Sequence, residues 1–139
     1  MPANQLLLAG GGHSHALLLR MWAMRPERRP KHCLISLVSR QSSAPYSGLV
    51  PGLVAGLYPR HACAIDLRRL CARAGVAFLL AEITGLDLER QELLLAGRPG
   101  LRFDRLSLNL GAVTASDPGG AMAVKPLEPF LAWCESLAP

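Results

Sequence analysis

The ten residues from Leu6 to His15, LLLAGGGHSH, decide the fold that this sequence predicts. An apolar run ends on three consecutive glycines, and a stretch of good helix formers follows from Ala16 to Met24. Periodicity alone does not separate a short buried strand from a helix, but the glycines favour a strand that ends in a turn. We therefore predict a strand, a glycine turn and a helix. We expect this helix to be buried on nearly every face, because it is almost wholly apolar.

The glycine turn fits the phosphate-binding pattern G-x-G-x-x-G, with His15 in the place of the third glycine. The first glycine, Gly10, permits a tight turn out of the strand, and Gly12 lets the backbone approach a pyrophosphate. The N–H groups of the first helical turn then point at the phosphates. The third glycine normally allows close contact between helix and strand, so His15 implies a local adjustment. Dinucleotide binding is therefore predicted at the residues of this turn: Gly10, Gly11, Gly12, His13, Ser14 and His15.

The second predicted strand, His32–Val38, ends where such domains usually carry an Asp or Glu that binds a ribose. Here that position is Ser39, with Arg40 beside it. A hydroxyl group can hydrogen-bond a ribose, but less strongly than a carboxylate, and Arg40 favours a phosphate instead. Both residues are therefore candidates for contact with the adenosine part of a dinucleotide, and the nature of that contact is left open.

Apolar patterns in the rest of the chain predict an alternation of helices and strands. They predict, in order, a packed loop with a short helix around Leu53, a helix from Ile65 to Ala74 that stops at Gly75, a strand at Val76–Leu80, two strands of a hairpin or meander at Ile83–Leu88 and Glu92–Ala96, a strand from Leu101 that ends at Gly111, and a helix at Glu128–Leu137. This order predicts an α/β fold, with a Rossmann-like parallel sheet, helices and a small β-meander. The length of 139 residues favours one domain, residues 1–139.

Charge and cysteine content argue against several other functions. The net charge of +5 comes with no helix-turn-helix or zinc-finger spacing, so the basic residues are interpreted as a solvated surface and nucleic-acid binding is not predicted. The four cysteines form no C-x-x-C pair, and His13 and His15 point to different faces of a helix start, so no metal site is predicted. No signal peptide or membrane-spanning run is recognisable, and we expect a cytoplasmic protein with free thiols.

Three segments carry a family resemblance: LAGGGHSH at residues 8–15, YSGLVPG at residues 46–52 and FDRLSLNLGA at residues 103–112. Together they resemble the pyridine nucleotide–disulfide oxidoreductase superfamily, and within it the FAD-containing, type II NADH dehydrogenase-like group. The motifs G-G-G-H-S-H and Y-S-G-x-x-P-G are most similar to the oxidoreductase module found fused to selenide, water dikinase. The chain lacks the cysteine pair of the disulfide-reductase branch.

The resemblance implies FAD as the cofactor and NAD(P)H as the cosubstrate of the full-length enzyme. It also implies cofactor contacts along the chain, while the catalytic residues stay unknown. The pyrophosphate would lie against Gly10, Gly12 and the amides of residues 13–15. The loop of Tyr46, Ser47 and Gly48 would pass near the flavin, and Glu82 and Ile83 would lie by the adenine. Asn109 and Gly111 fall where the family usually shows A-T-G, which Gly111 matches and Asn109 does not, and Lys125 precedes the helix that leads into the next domain.

The implied reaction is hydride transfer from the nicotinamide to the flavin and onward to an acceptor such as a quinone. Family members continue with an NAD(P)H-binding domain and a last strand that contacts the flavin. The resemblance therefore implies an N-terminal fragment, inactive alone, that meets the remaining domains or a partner chain, and peripheral membrane contact is compatible with it. Two alternatives stay open. One is a non-catalytic module that binds NAD or ADP, and the other is a structural fragment whose glycine turn binds nothing.

Overall fold

The structure, a computed structural model, describes residues 4–113 and 119–137. Its elements are β1 (Asn4–Ala9), α1 (His13–Met24), β2 (Cys33–Ser39), β3 (Ser43–Pro45), α2 (Val50–Val54), β4 (Ala64–Asp66), α3 (Leu67–Ala74), β5 (Ala77–Leu80), β6 (Ile83–Asp87), β7 (Glu92–Leu95), β8 (Arg98–Arg102), β9 (Arg105–Leu108) and α4 (Leu127–Ser136). Short 3-10 helices lie at Pro26–Arg28, Ser47–Leu49 and Arg60–Cys63. The chain forms two compact units, Met1–Ala44 with Asp66–Leu110, and Pro45–Ile65 with Gly111–Pro139. In the part of the chain that the structure describes, no helix is long and apolar enough to cross a lipid bilayer.

The first unit is built on a parallel sheet with the strand order β5-β2-β1-β9. β1 pairs with β2, from Asn4 beside Cys33 to Ala9 beside Val38, and pairs on its other side with β9. Because the chain passes from β1 through α1 to β2 and β5, and returns only later to β9, the direction of strand addition reverses at β1. These features confirm the predicted Rossmann-like α/β fold.

α1 differs from its prediction in how much of it is buried. Its buried residues recur on one face of the helix: His15, Ala16, Leu19 and Trp22. On the other faces, Leu17 is 50% exposed and Met24 is 66% exposed. The prediction of burial on nearly every face is therefore wrong. A helix that packs on one side of a sheet buries one stripe, and the apolar residues outside that stripe stay accessible.

α3 begins and ends at signals that are local in sequence. The carboxylate of Asp66 accepts a hydrogen bond from the N–H of Arg69 at 2.9 Å, which caps the first turn. Gly75 follows the helix with a left-handed φ of 66°. The predicted helix and its stop at Gly75 are confirmed. Ile65, predicted as its first residue, lies in β4 instead, because the cap at Asp66 makes Leu67 the first helical residue.

The antiparallel strands β6, β7 and β8 form a separate sheet, which confirms the predicted meander. A buried cluster joins residues of this meander to one face of the parallel sheet: Leu7, Ala9, Val38, Leu93, Leu95 and Phe103. Leu7 and Ala9 alternate along β1, as expected for a strand with one face turned to this core. Burial of apolar surface in such a cluster contributes about 25 cal/mol per Å².

The strand predicted to run from Leu101 to Gly111 is two strands, β8 and β9, which belong to different sheets. Between them, the N–H of Phe103 donates to the carbonyl of Gln91 at 3.0 Å, and the chain then enters the parallel sheet. The single-strand prediction is therefore wrong. The apolar pattern continues across the junction, but such a pattern does not record which sheet each part joins.

The second unit contains α2, α4 and the 3-10 helices at Ser47–Leu49 and Arg60–Cys63. The guanidinium of Arg60 pairs with Glu128 and Glu135 of α4 at 2.6 and 2.7 Å. The predicted helices around Leu53 and at the tail are confirmed as α2 and α4. The loop around α2 is less packed than expected, since Leu57 is 72% exposed. Apolar residues make up much of any protein surface, so their presence in a loop does not establish burial.

Candidate dinucleotide-binding site

The candidate site lies at the carboxyl ends of β1, β2 and β9. Open α/β sheets bind ligands at the carboxyl ends of their strands, beside the point where strand order reverses, and this sheet reverses at β1. Gly10 follows β1, Ser39 ends β2 and Asn109 follows β9. The structure therefore brings three predicted binding residues, far apart in sequence, to one edge of the sheet.

Gly10 makes the turn out of β1. Its φ of 96° lies in the left-handed region, which residues with a Cβ rarely adopt. Its N–H donates to the carbonyl of Val38 at 2.8 Å, and a Cβ added here would overlap the backbone carbonyl of Asn109. The tight turn expected at the first glycine is confirmed, and close approach of the chain after β9 is a second reason for glycine.

Gly12 precedes α1 with φ −69° and ψ 171°, an extended conformation that any residue adopts. Space requires glycine here, because an added Cβ would overlap the side-chain amide of Asn109. Gly11 is confined in the same way, since an added Cβ would overlap Leu67 and stand 2.9 Å from the hydroxyl oxygen of Ser39. The two glycines therefore form a narrow cradle that a Cβ would fill.

The start of α1 attracts negative charge. The first hydrogen bond inside the helix runs from the N–H of Ala16 to the carbonyl of Gly12 at 3.1 Å, so the N–H groups of Ser14 and His15 precede it. The N-cap residue, Gly12, has no side chain to cap this end, and no acidic residue lies in the first turn. The positive end of the helix dipole is thus not neutralised by the helix's own side chains, which suits a phosphate. The side chains of His13 and Ser14 are exposed at this end.

Asn109 contributes a buried donor beside the turn. Its backbone N–H donates to the carbonyl of Ala9 at 2.8 Å, which holds the residue against the end of β1. Its side-chain Nδ2 is buried and has no hydrogen-bond partner among the described residues. A buried donor without an acceptor costs about 1–3 kcal/mol, so this arrangement favours an acceptor from outside the described residues. The sequence singled out Asn109 by motif position, but its place beside Gly12 depends on the pairing of β9 with β1.

His15, in the third glycine position, is buried, with 3% of its surface exposed. Its Nδ1 lies 2.7 Å from the carbonyl oxygen of Gly10, and its Nε2 lies 2.9 Å from the hydroxyl oxygen of Ser107 in β9. Burial lowers the pKa of His15, and the hydrogen bond with Gly10 opposes that effect. The expected local adjustment is therefore an imidazole bridge. Sequence reasoning missed Ser107, whose only signal was its place in the third motif.

The side chain of His15 is directed into the fold, so its backbone N–H is the group left for the predicted phosphate contact. In the residues that the structure describes, no group of three or more His, Cys, Asp or Glu side chains is placed to hold a metal ion. All four cysteines are free thiols: Cys33, Cys63, Cys71 and Cys134.

At the end of β2, the hydroxyl of Ser39 is engaged by its own loop. It donates to the carbonyl of Gln41 at 2.8 Å and accepts from the N–H of the same residue at 3.3 Å. Ser39 is only 6% exposed, whereas Arg40 is exposed. A ribose contact by Ser39 would have to share or replace these bonds, so the predicted adenosine contacts of both residues stay predictions.

The residues predicted to lie by the adenine follow β5. The N–H of Ala81 donates to the carbonyl of Ser39 at 3.0 Å, which brings the end of β5 to the end of β2. Glu82 is exposed, and its carbonyl accepts a hydrogen bond from Ala96 at 2.9 Å. The side chain of Ile83 packs against the core cluster between the two sheets. Adenine contact stays a prediction for both residues.

The other predicted residues lie in the second unit. Ser47 begins a 3-10 helix, and Gly48 lies against the ring of Tyr46, since an added Cβ would stand 2.8 Å from Cζ. Gly111 has a φ of 90°, where glycine is favoured, and Lys125 is exposed. The structure thus brings the three loop residues together, and contact of these five residues with a cofactor stays a prediction.

No family model matches the chain, and no curated protein matches it at a significant level. Solved structures do match. The sulfide:quinone oxidoreductase from Aquifex aeolicus is 16% identical with a TM-score of 0.65, over 78% of this chain and 24% of that chain. The putidaredoxin reductase–putidaredoxin complex is 19% identical with a TM-score of 0.64, over 88% and 29% of the two chains. NDH2 from Plasmodium falciparum in complex with NADH is 18% identical with a TM-score of 0.64, over 88% and 25%.

The chain spans about a quarter of the length of these solved proteins, and the identities are too low to carry more than the fold. This chain has the Rossmann-like α/β fold that forms part of these proteins.

Proposed function

We propose that this chain binds FAD, with the pyrophosphate at the Gly10–Gly12 turn and the start of α1. The observation that carries the proposal is the buried Nδ2 of Asn109, which lies beside Gly12 and has no acceptor among the described residues. A phosphate oxygen over the turn would supply that acceptor. The N–H groups at the start of α1 would donate to the same phosphates.

The residues at the turn fit a diphosphate. Gly11 and Gly12 have no side chains to hold a ligand away from the backbone, and no acidic residue in the first turn of α1 repels an anion. Donors converge on this point from the helix start and from Asn109. These observations support a dinucleotide, while the choice of FAD over NAD depends on the resemblance of the three sequence motifs.

The resemblance supplies the other proposed contacts with the cofactor. We propose contacts near the flavin for Tyr46, Ser47 and Gly48, adenosine contacts for Ser39, Arg40, Glu82 and Ile83, and further cofactor contacts for Gly111 and Lys125. When bound, the flavin would accept a hydride from NAD(P)H.

On this basis, the chain provides the FAD-binding part of a flavin-dependent NAD(P)H oxidoreductase with an acceptor such as a quinone. The fold that it shares with a sulfide:quinone oxidoreductase and with NDH2 in complex with NADH supports this general reaction. The narrower relationship, to the module fused to selenide, water dikinase, depends on two sequence motifs alone. We also propose a cytoplasmic location, because the sequence has no recognisable signal peptide or membrane-spanning run.

Calorimetry and thermal unfolding of the 139-residue chain with FAD, ADP, NADH and FMN test the proposal. FAD and ADP share an adenosine diphosphate, so we expect both to bind and to raise the unfolding temperature in proportion to ln(1 + [L]/Kd). FMN lacks the pyrophosphate and should not bind at this turn. Binding of NADH and ADP without FAD would support the non-catalytic module instead, and no shift with any ligand would support the structural fragment.

Substitutions separate the phosphate contact from the Asn109 contact. Gly12→Ala alone would displace the Asn109 amide as well as obstruct a phosphate. Asn109→Ala removes that amide and should weaken ADP binding about 10- to 100-fold, as expected for a hydrogen bond to a charged group. The double variant Gly12→Ala/Asn109→Ala then adds a Cβ without the overlap with the Asn109 amide, and we expect it to abolish the remaining binding.

Arg28→Ala is the control, because Arg28 is exposed in the 3-10 helix that follows α1. Arg29 is unsuitable, since its guanidinium donates to the carbonyl of Gly75 at 3.1 Å. If the double variant binds ADP as well as Asn109→Ala does, the phosphate does not lie over Gly12 and the proposed site is wrong.

A further inference from the structure

We infer that His15 and Ser107 form a positioning pair that holds the glycine turn, and with it Asn109, in the conformation that receives a phosphate. That a phosphate binds here rests on the proposed function, but the hydrogen bonds of His15 and Ser107 are present in the free chain. His15 belongs to α1, Ser107 to β9, and the carbonyl between them to Gly10. One buried imidazole thus connects a helix, a strand and a turn.

The register of the sheet explains why this connection is possible. Ser107 of β9 lies beside Leu8 of β1, so both side chains project from the same face of the sheet. Leu7 lies on the opposite face, in the cluster shared with the meander. Because His15 reaches Ser107, the start of α1 lies on the Leu8 face of the sheet, beside β9. A glycine in place of His15 would have no side chain to reach Ser107.

The two hydrogen bonds determine where the imidazole proton lies. The carbonyl of Gly10 can only accept, so Nδ1 carries the proton and donates to it. Nε2 is then unprotonated and accepts from the hydroxyl of Ser107. Both ring nitrogens are satisfied in the neutral form, in agreement with the lowered pKa that burial produces. The His15 imidazole therefore has one tautomer, in which Nδ1 donates to Gly10 and Nε2 accepts from Ser107.

The pair acts on the turn through Gly10. The N–H of Gly10 donates to Val38 of β2, and its carbonyl accepts from His15, so both polar groups of this peptide are held. Ser107 precedes Asn109 by two residues on the same strand end, and the Asn109 amide lies beside Gly12. Fixing Ser107 therefore also fixes the donor that the proposed phosphate needs.

The experiment uses the free 139-residue chain and its complex with ADP. The variants are His15→Ala, His15→Asn and Ser107→Ala, with the double variant of His15→Ala and Ser107→Ala. Asn is the conservative replacement, because its amide nitrogen can stand where Nδ1 stands and donate to the Gly10 carbonyl. Leu17→Ala is the matched control, since Leu17 lies on the same helix and is half-exposed.

Nitrogen NMR of the free parent chain should show a protonated Nδ1 and an unprotonated Nε2 in His15. We expect His15→Ala to shift the amide signals of Gly10 and Gly11 and to weaken ADP binding about tenfold, as for one lost hydrogen bond. His15→Asn should keep most of the parent amide signals and most of the parent ADP affinity. Leu17→Ala should change neither. Ser107→Ala should also shift these amide signals and weaken ADP binding. The double variant should bind ADP only slightly more weakly than His15→Ala does.

Two results would overturn the inference. One is a proton on Nε2 in the parent chain. The other is a folded His15→Ala variant that is less stable but keeps the parent amide signals and the parent ADP affinity. If His15→Ala does not fold, Ser107→Ala decides by the same signals. If the parent chain binds neither ADP nor FAD, the proposed function is wrong. The tautomer of His15 and the amide shifts would still test whether His15 and Ser107 hold the glycine turn.

Discussion

Gly10 and Gly12 are both glycines of one turn, but each is needed for a different physical reason. Gly10 has a backbone conformation that a Cβ would strain, and its carbonyl and N–H are both held by the fold. Gly12 has an ordinary conformation and is confined by the Asn109 side chain. Substitution of Gly10 therefore acts on folding, whereas substitution of Gly12 acts mainly on what can approach the turn.

The stability of the chain should depend on pH through His15. Burial lowers the pKa of His15 in the folded state below its ordinary value of 6.5. The unfolded chain therefore takes up the proton first as the pH falls, so this contribution is present above about pH 6.5 and is lost as the pH falls through the folded pKa. We expect the free energy of unfolding, measured by urea denaturation, to decrease as the pH falls from about 7 to 5.

His15→Asn is the matched variant for this measurement, because it keeps a donor for Gly10 but does not titrate. Its free energy of unfolding should fall less steeply over the same pH range. Parallel loss of stability in the parent and the variant would show that other groups cause the pH dependence.

Among the helices, α3 has the clearest local signals at both ends. Asp66 caps its first turn and Gly75 ends it, and Leu67 and Cys71 are fully buried on the face between these ends. α1, in contrast, has neither a side-chain cap nor an acidic first turn. The start of α1 faces the candidate phosphate site, whereas the start of α3 is closed by its own Asp66.

Asp66→Ala should lower the free energy of unfolding by about 0.5–2 kcal/mol, because the N–H of Arg69 loses its acceptor. Asp66→Asn keeps an oxygen that can accept this bond and should lose much less. Glu89→Ala, at an exposed turn position, controls for the loss of one acidic charge. Equal losses in Asp66→Ala and Glu89→Ala, measured by urea denaturation, would contradict the cap.

Over the whole molecule, the four thiols lie in different environments, and none is paired. Cys63 and Cys71 are buried, while Cys33 and Cys134 are partly exposed. Burial raises the pKa of Cys71 to about 11. A thiol of this kind behaves as a small apolar side chain, which agrees with the absence of a C-x-x-C pair from the sequence.

A thiol reagent at about pH 8 should therefore modify Cys33 and Cys134 well before Cys63 and Cys71 in the folded chain. Only about one Cys71 in a thousand would be a thiolate at that pH. In urea all four should react at similar rates. Fast modification of Cys71 in the folded chain, followed by mass spectrometry, would show that the fold opens at α3 more often than its burial implies.

The strand, turn and helix from Leu6 to Met24, the stop at Gly75 and the meander could be predicted from the sequence. Each depends on interactions between near neighbours: the freedom of glycine at a turn, the capping of a helix end and the alternation of a strand. The tight turn at Gly10 could be predicted for the same reason, because the conformation of a glycine turn depends on the residues of the turn itself.

The pairings that complete the candidate site could not be predicted in this way. His15 and Ser107 are 92 positions apart, and Asn109 reaches Gly12 only because β9 pairs with β1. The separation of β8 from β9 also depends on which sheet each strand joins, and the exposure of Met24 depends on which face of α1 packs on the sheet. Such contacts arise from the packing of distant segments, and a local pattern of apolar and polar residues is compatible with several packings.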